Sequence, residues 1–411
     1  MKKNKRKLYN LYSELNSNSR FSIFEVVVIV FISLCFGVII GYILTYTNSN
    51  AYKLRHDSNF NDIVMAYNEI SNNYYKDIDK KVISDAAISG MVNSIGDSNT
   101  MLMKDSFSES FNELVNGSFV GIGVTIQYNG EYHEIIKVNK NGPAYKAGIK
   151  KGDLLLSVDG EDCSKISGKE VSNIIKKKEK DSVNIVVLRD GKKKKINVIK
   201  DTIQIDTISS KVIESDGKKI GYIRLSVFSL NSFEQFKKHL LKLENDNIDS
   251  LIIDLRDNPG GYLDSARDIL SMFFDKKTVL YQIQNKNSKM TKIYSKNNDK
   301  KNYKIVLLGN GASASSSEVF ISCFIDNYKN SYFVGEKTYG KGTIQDSYSL
   351  NSGSMLKMTI SKWFTSKGLN VDGEGISPDY EEILSDAFYE NKIDENDNQL
   401  QKAIDIIKKN Q

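Results

Sequence analysis

The chain has 411 residues, 40% hydrophobic and 26% charged, a globular composition with length for two or three cores, which argues against wholesale disorder. Its net charge of +6 gathers at the start, where residues 1–21 carry Lys2, Lys3, Lys5, Arg6, Lys7 and Arg20 against Glu14. The rest is close to neutral and gives no footprint for nucleic acid. Cys35, Cys163 and Cys323 lack CxxC spacing, and His56, His133 and His239 lack the spacing of a metallopeptidase, so no disulfide framework, metal or cofactor is expected.

Behind the basic tail (1–21), Val26 to Tyr46 reads VVVIVFISLCFGVIIGYILTY without a charge. At ~1.5 Å per residue such a run spans about 31 Å, the thickness of a hydrocarbon core. The sequence predicts a transmembrane anchor over 22–47. A cleaved signal peptide fits less well, because its apolar run is shorter and Thr45-Tyr46-Thr47-Asn48 offers no Ala-x-Ala-like site. The preceding basic cluster places the N-terminus in the cytoplasm and the remainder outside the membrane.

Residues 55–110 read as a helical region: Ile63, Tyr67 and Ile70, then Val82, Ala86, Ala87 and Met91 recur at helical spacing, closed by Gly96-Asp97. Across 111–202 the pattern changes to short strands with glycine turns, namely Val120–Gln127, Glu134–Val138, Leu154–Val158 and Val183–Leu188, interrupted by a helix from Gly168 to Lys178. Lys192 to Lys195 follow Asp190-Gly191 and read as the solvated side of a hairpin rather than a polyanion site. From 203 to 385 strands alternate with helices: strand Ile220–Leu225, helix Ser232–Leu243, buried strand Leu251–Leu255, helix Asp264–Phe274, strand Ile305–Leu308, helix Ser316–Asn327 and strand Tyr332–Val334. That alternation predicts an α/β layer domain. A tail over 386–411 ends in an amphipathic helix, Asn398–Lys408.

Chemistry concentrates in three loops. A serine-rich turn, Asn310-Gly-Ala-Ser313-Ala-Ser315-Ser316-Ser317-Glu318, joins an apolar strand to a helix. A serine there has its hydroxyl beside the N–H groups of the helix N-terminus, which stabilise a developing oxyanion. Plain N-capping with Glu318 in the first turn explains the same residues. The second loop sets Lys341 between Gly340 and Gly342. Every histidine precedes Ser315, so the order Ser…Asp…His is unavailable, and a partly desolvated lysine can serve as base instead. The loop nearly spells a phosphate-binding P-loop, but Gly342 stands where that motif needs Ser or Thr, and Thr343 to Ser347 reads as strand. The third loop, Asp254-Leu-Arg256-Asp-Asn-Pro259-Gly260-Gly261, lets backbone N–H groups approach a ligand, although alone it is only a loop.

Together these blocks, in this order, resemble the carboxyl-terminal processing peptidase family over about residues 60 to 410. The arm Ala66-Tyr67…Tyr74-Tyr75 and Ala87-Ile88…Gly90-Met91…Ile95-Gly96-Asp97, the block Gly375 to Asp379 and the three loops carry the resemblance. It implies an α/β fold with a crotonase/ClpP-like peptidase core, Ser315 as nucleophile, Lys341 as base and Gln345 orienting the lysine. It also implies backbone oxyanion donors at Gly260, Gly261 and Ser316. Ser316 replaces the usual alanine after the nucleophile and keeps the backbone N–H. Ser98 stands in place of a proline, and one extra residue lies near Lys329-Asn330-Ser331.

Residues 117–200 resemble a PDZ domain, with Gly121-Ile122-Gly123 as the carboxylate-binding loop and Asn141-Gly-Pro143-Ala144 and Lys151-Gly152-Asp153 as supporting blocks. The expected partners are protein or peptide substrates bound by their C-termini, and the membrane through one span; self-association stays open. Two other functions remain beside a peptidase: a catalytically dead scaffold displaying its PDZ domain, which has no use for Ser315, Lys341 and Gln345 together, and an acyl-thioester enzyme on a crotonase-like core.

Overall fold

The computed structural model describes residues 22–47, 57–103, 112–177, 181–297 and 300–409. The expected basic tail 1–21 lies outside them, as does Lys178 at the end of the expected helix. The chain divides into two compact units, Met1–Met91 and Val92–Gln411.

In the first unit the apolar run forms one helix, Ile23–Thr47, whose stretch Phe24–Leu44 is long and apolar enough to cross a membrane and buries none of its side chains. The lead-in expected as one helical region is two helices, Ser58–Asn73 and Lys80–Ser94. Each starts behind an aspartate: Asp57 accepts from the Asn59 N–H at 2.9 Å and Asp79 from the Lys81 N–H at 2.7 Å.

In the second unit a six-stranded sheet runs in the order Ile208–Ser215, Lys218–Leu225, Ser250–Asp254, Lys304–Gly309, Ser331–Gly335, Tyr380–Glu381, parallel after its first pair. Its central strands are apolar on both faces because both faces are covered. Leu251, Ile253, Ile305 and Leu307 pack with helices Ser232–Asn245, Leu263–Leu270 and Ser316–Asn327. Ile252, Val306 and Leu308 pack on the other side with Leu400, Ala403, Ile404 and Ile407 of helix Asn398–Lys409. That helix is pinned at its N-terminal end. Buried Arg256 donates to Asp254 on the sheet and to Asp397 (2.8 Å) just ahead of the helix.

A second sheet, not foreseen, joins Met101–Met103, Met355–Thr365, Val279–Asn285 and Met290–Tyr294, with Thr343–Ser349 also paired to Met355–Thr365. It carries the residues that follow Lys341.

The expected PDZ segment forms a sheet in the order Val124–Tyr128, His133–Val138, Leu154–Val158, Ser182–Arg189, Lys192–Ile199, with helix Gly168–Lys176 beside it. The strand expected from Val120 to Gln127 is two. Ser118–Gly121 pairs with Asp201–Gln204, while Val124–Tyr128 forms the sheet edge, and Gly123 breaks the run at φ +76°. The Ile122 carbonyl accepts from Ala144 N–H and that of Gly123 from Asn139 N–H, both at 2.9 Å. Across a trans peptide the N–H opposes the carbonyl, so the Gly123 N–H points away from Ala144.

Candidate active site

Four serines cluster around the start of helix Ser316–Asn327, and the side chains of three of them bond to backbone carbonyls. Ser313 Oγ donates to the Leu255 carbonyl (2.8 Å), Ser316 Oγ to that of Gly261 and Ser317 Oγ to that of Asn258 (both 2.9 Å). Ser315 stands apart, at φ 55° and ψ −115°. A non-glycine residue there costs about 1–3 kcal/mol and persists only where its surroundings hold it. Glu318 is one such hold, its Oε2 accepting from the Ser315 N–H at 2.8 Å.

The glycine loop lies directly against this turn. Gly260 has φ +99°, and a Cβ there would sit 2.7 Å from the Ala314 carbonyl oxygen and 2.9 Å from Ser315 Cβ. Gly260→Ala is therefore expected to push Ser315 aside and, if that serine does the chemistry, to cost ~10²-fold or more in rate, the scale of a displacement of about 1 Å. Steady-state rates beside a thermal melt check this; a folded variant at wild-type rate refutes the close packing. One of the three expected oxyanion donors needs correcting. The Gly260 N–H already donates to Asn258 Oδ1 at 2.9 Å, while Asn258 Nδ2 donates to the Leu225 carbonyl at 2.9 Å. Gly260 thus supplies close approach, and Gly261 and Ser316 are left as the candidate donors.

The lysine loop is fastened on three sides. The Gly340 and Lys341 N–H groups donate to Glu318 at 2.6 and 2.8 Å, and the Lys341 carbonyl accepts from Trp363 Nε1 at 2.7 Å. A Cβ on Gly342 would fall 2.4 Å from that of Asp372, so the flanking glycine allows close contact. The block Gly375 to Asp379 finds its use here: the Thr338 N–H donates to the Ile376 carbonyl (3.0 Å), the Ile376 N–H donates to Thr338 Oγ1 (2.8 Å), and Asp379 accepts from the Phe333 N–H at 2.8 Å. Thr343–Ser349 is a strand, which leaves no helix N-terminus for a phosphate.

Ser315, Ser316, Gly260, Gly261, Lys341 and Gln345 all line one cavity of about 530 Å³, with Val227, Leu263, Ile344 and Trp363 as apolar wall. Burial lowers the Lys341 pKa from its ordinary value, and the positive charge of Lys357, also lining the cavity, lowers it further; Asp97 and Glu318 pull it back up. A lowered pKa makes the neutral amine easier to reach, and a neutral amine can take the proton of a serine hydroxyl that lines the same cavity. Gln345 Nε2 donates to Thr343 Oγ1 (2.8 Å) and Thr359 Oγ1 (3.2 Å). Sequence reasoning missed Lys357 and Thr359, which sit on an unforeseen strand, and saw Glu318 only as a capping residue.

Residues 219–382 match the model of peptidase family S41, residues 119–199 that of a PDZ domain and residues 44–106 that of the N-terminal domain of the activating protease CtpB. A "Probable CtpA-like serine protease" of Staphylococcus aureus (strain COL) is 33% identical over 364 residues, which cover 85% of this chain and 71% of that protein. The chain belongs to peptidase family S41. The carboxy-terminal processing protease CtpB of Bacillus subtilis (strain 168) is 32% identical over 327 residues, 78% of this chain and 67% of CtpB. A further "Probable CtpA-like serine protease", of Staphylococcus haemolyticus (strain JCSC1435), is 34% identical over 320 residues, 77% of this chain. The aligned part is 63% of that relative, less than two thirds of its length. The resemblance read from the motifs thus holds, with the PDZ match lying ahead of the S41 match along the chain.

Proposed function

We propose that this S41 chain is a membrane-anchored endopeptidase that cuts protein chains recognised by their C-termini. The observation that carries the reading is the convergence of Ser315, Lys341 and the Gly260-Gly261 backbone on one cavity. Ser315 Oγ attacks the scissile carbonyl while neutral Lys341 takes its proton. The resulting oxyanion is held by the N–H groups of Gly261 and Ser316. Lys341 returns the proton to the leaving amine, and the acyl-enzyme is released by water, whose proton passes to Lys341 and then to Ser315. Gln345 offers its Oε1 to the lysine and fixes the direction of its lone pair.

The fold we assign to the catalytic part is a crotonase/ClpP-like core over 203–385, with the PDZ domain over 111–202 inserted behind a helical region at 55–110, and a helical tail at 386–411. Helix 22–47 is read as an uncleaved single span with its N-terminus in the cytoplasm, so the catalytic part faces outward. Gly121-Ile122-Gly123 receive the substrate carboxylate, with the peptide added along the free edge of Val124–Tyr128. Supporting this are the Gly123 N–H, which points away from Ala144, and the sheet order, which leaves that edge open beside the helix.

The full-length protein in detergent micelles, given an unfolded protein substrate, is expected to cleave it, and Ser315→Ala to lose at least ~10³-fold. Amidating the substrate C-terminus is expected to slow cleavage more than internal substitutions do. Cleavage that survives Ser315→Ala removes the nucleophile assignment. Equal rates on amidated and free-acid substrates remove only the recognition of the terminus.

A further inference from the structure

Behind Gln345 stands a carboxylate that the motifs tie only to the N-terminal arm. Asp97 lies just ahead of strand Met101–Met103, which pairs with Met355–Thr365 so that Met101 opposes Lys357. Its half-buried carboxylate accepts from the Asn99 N–H (2.9 Å) and from Thr100 Oγ1 (2.6 Å), and the nearby Thr359 hydroxyl helps to hold its pKa down. Thr100 Oγ1 accepts in turn from the Thr359 N–H at 3.1 Å, which fixes that threonine over the carboxylate. On its other side Thr359 Oγ1 accepts from Gln345 Nε2.

We propose that Asp97 is a positioning residue for the catalytic base: acting through Thr359, it sets which end of the Gln345 amide is presented to Lys341. This rests on the Ser315–Lys341–Gln345 reading. An ionised carboxylate only accepts, so Thr359 spends its single hydroxyl proton on Asp97. Its oxygen then offers only lone pairs, and Gln345 must meet it with its NH2 group. Thr343 Oγ1 takes the second amide hydrogen at 2.8 Å. With both hydrogens engaged, Oε1 is the atom left to accept from Lys341 and to aim the amine lone pair at Ser315. Without the carboxylate, the Thr359 hydroxyl is free to donate to Oε1 instead. The amide then flips, and its NH2 confronts the lysine, donor against donor.

Asp97 also acts on Lys341 by charge. Its negative charge raises the lysine pKa, as does that of Glu318, against burial and Lys357. Asp264 and Asp346 line the same cavity, and Asp372 accepts from the neighbouring Gly342 N–H. Removing Asp97 therefore has two separable effects, on the orientation of the amide and on the pKa of the base.

The test measures kcat and KM against pH for the full-length protein in detergent micelles, with Ser315→Ala, Asp97→Asn, Thr359→Val and Thr359→Ser. Asp97→Asn and Thr359→Val are expected to lose ~10- to 100-fold in kcat with KM within about 3-fold, the scale of misorienting a catalytic group. Thr359→Ser restores the hydroxyl and with it the rate. Asp97→Asn also moves the rising limb of the pH profile to lower pH, because it removes a charge that raises the lysine pKa, whereas Thr359→Val leaves the limb in place. Wild-type kcat in both variants, or a loss in Asp97→Asn with its limb unmoved, overturns the proposal while Ser315→Ala stays inactive. Activity in Ser315→Ala instead brings down the underlying reading. Should Asp97→Asn fail to fold, the Thr359 pair decides: equal rates for valine and serine refute the relay.

Discussion

Lys341→Arg is expected to lose at least ~10³-fold in kcat/KM, the scale seen when a member of a catalytic triad is removed. Arginine keeps the positive charge but does not give it up, so it cannot accept the Ser315 proton. In the unaltered protein kcat/KM is expected to climb with pH. In the proposed mechanism the neutral amine is the working form, and its fraction grows as pH rises through the lysine pKa. Burial first, then Lys357, hold that pKa below the ordinary 10.5, so the limb lies at lower pH than a free lysine would give. Lys357→Met removes one of those influences and is expected to move the limb upward, opposite to Asp97→Asn. Stopped-time cleavage of a short peptide across pH 6 to ~10 reads both effects, in a range where a lowered lysine titrates. An active Lys341→Arg protein ends the assignment of the base. A Lys357→Met limb that stays in place shows that the second lysine does not act on the first.

What could be read from the chain alone follows from how each segment is buried. Leu251–Leu255 and Ile305–Leu308 were legible as buried strands because helices cover both faces of their sheet, which leaves an unbroken apolar run. Met355–Thr365 gave no such signal: only Met355, Trp363 and Thr365 along it are buried, too sparse for a period of two. With that strand unseen, Thr359 and Lys357 had no place beside the lysine loop. Among the clustered serines, local pattern alone favoured a plain helix cap, and Ser315 was singled out by resemblance. In three dimensions its neighbours are distinguished by the carbonyls they bond and Ser315 by its backbone. Likewise Gly-Gly announces close approach but not which N–H is engaged. Only the side chain of Asn258 shows that Gly260 has spent its own.

Glu318→Gln is expected to damage the site more than a single lost hydrogen bond would. The residue is fully buried and sits between the two loops that carry the proposed nucleophile and base. Its Oε1 accepts from Thr338 Oγ1 (2.7 Å) and the Gly340 N–H (2.6 Å), and its Oε2 from the N–H groups of Ser315 and Lys341 (both 2.8 Å). Four donors converging on two oxygens suit a carboxylate, which only accepts. Glutamine satisfies one pair and turns an NH2 group against the other, at a fully buried position. Each buried donor left unmatched costs about 1–3 kcal/mol. The strain falls on Ser315, whose left-handed backbone is held by this contact, and on the main chain of Lys341. Kcat is expected to drop by ~10²-fold or more as nucleophile and base separate, with a lower Tm and a smaller change in KM. Glu318→Ala removes the mismatched NH2 and leaves space that water can enter, so it is expected to be less impaired in Tm than the isosteric glutamine. Thermal melts and peptide kinetics on both variants check this order. If glutamine proves harmless to kcat while melting as the unaltered protein does, Glu318 is no more than the helix cap that its position in the first turn suggests.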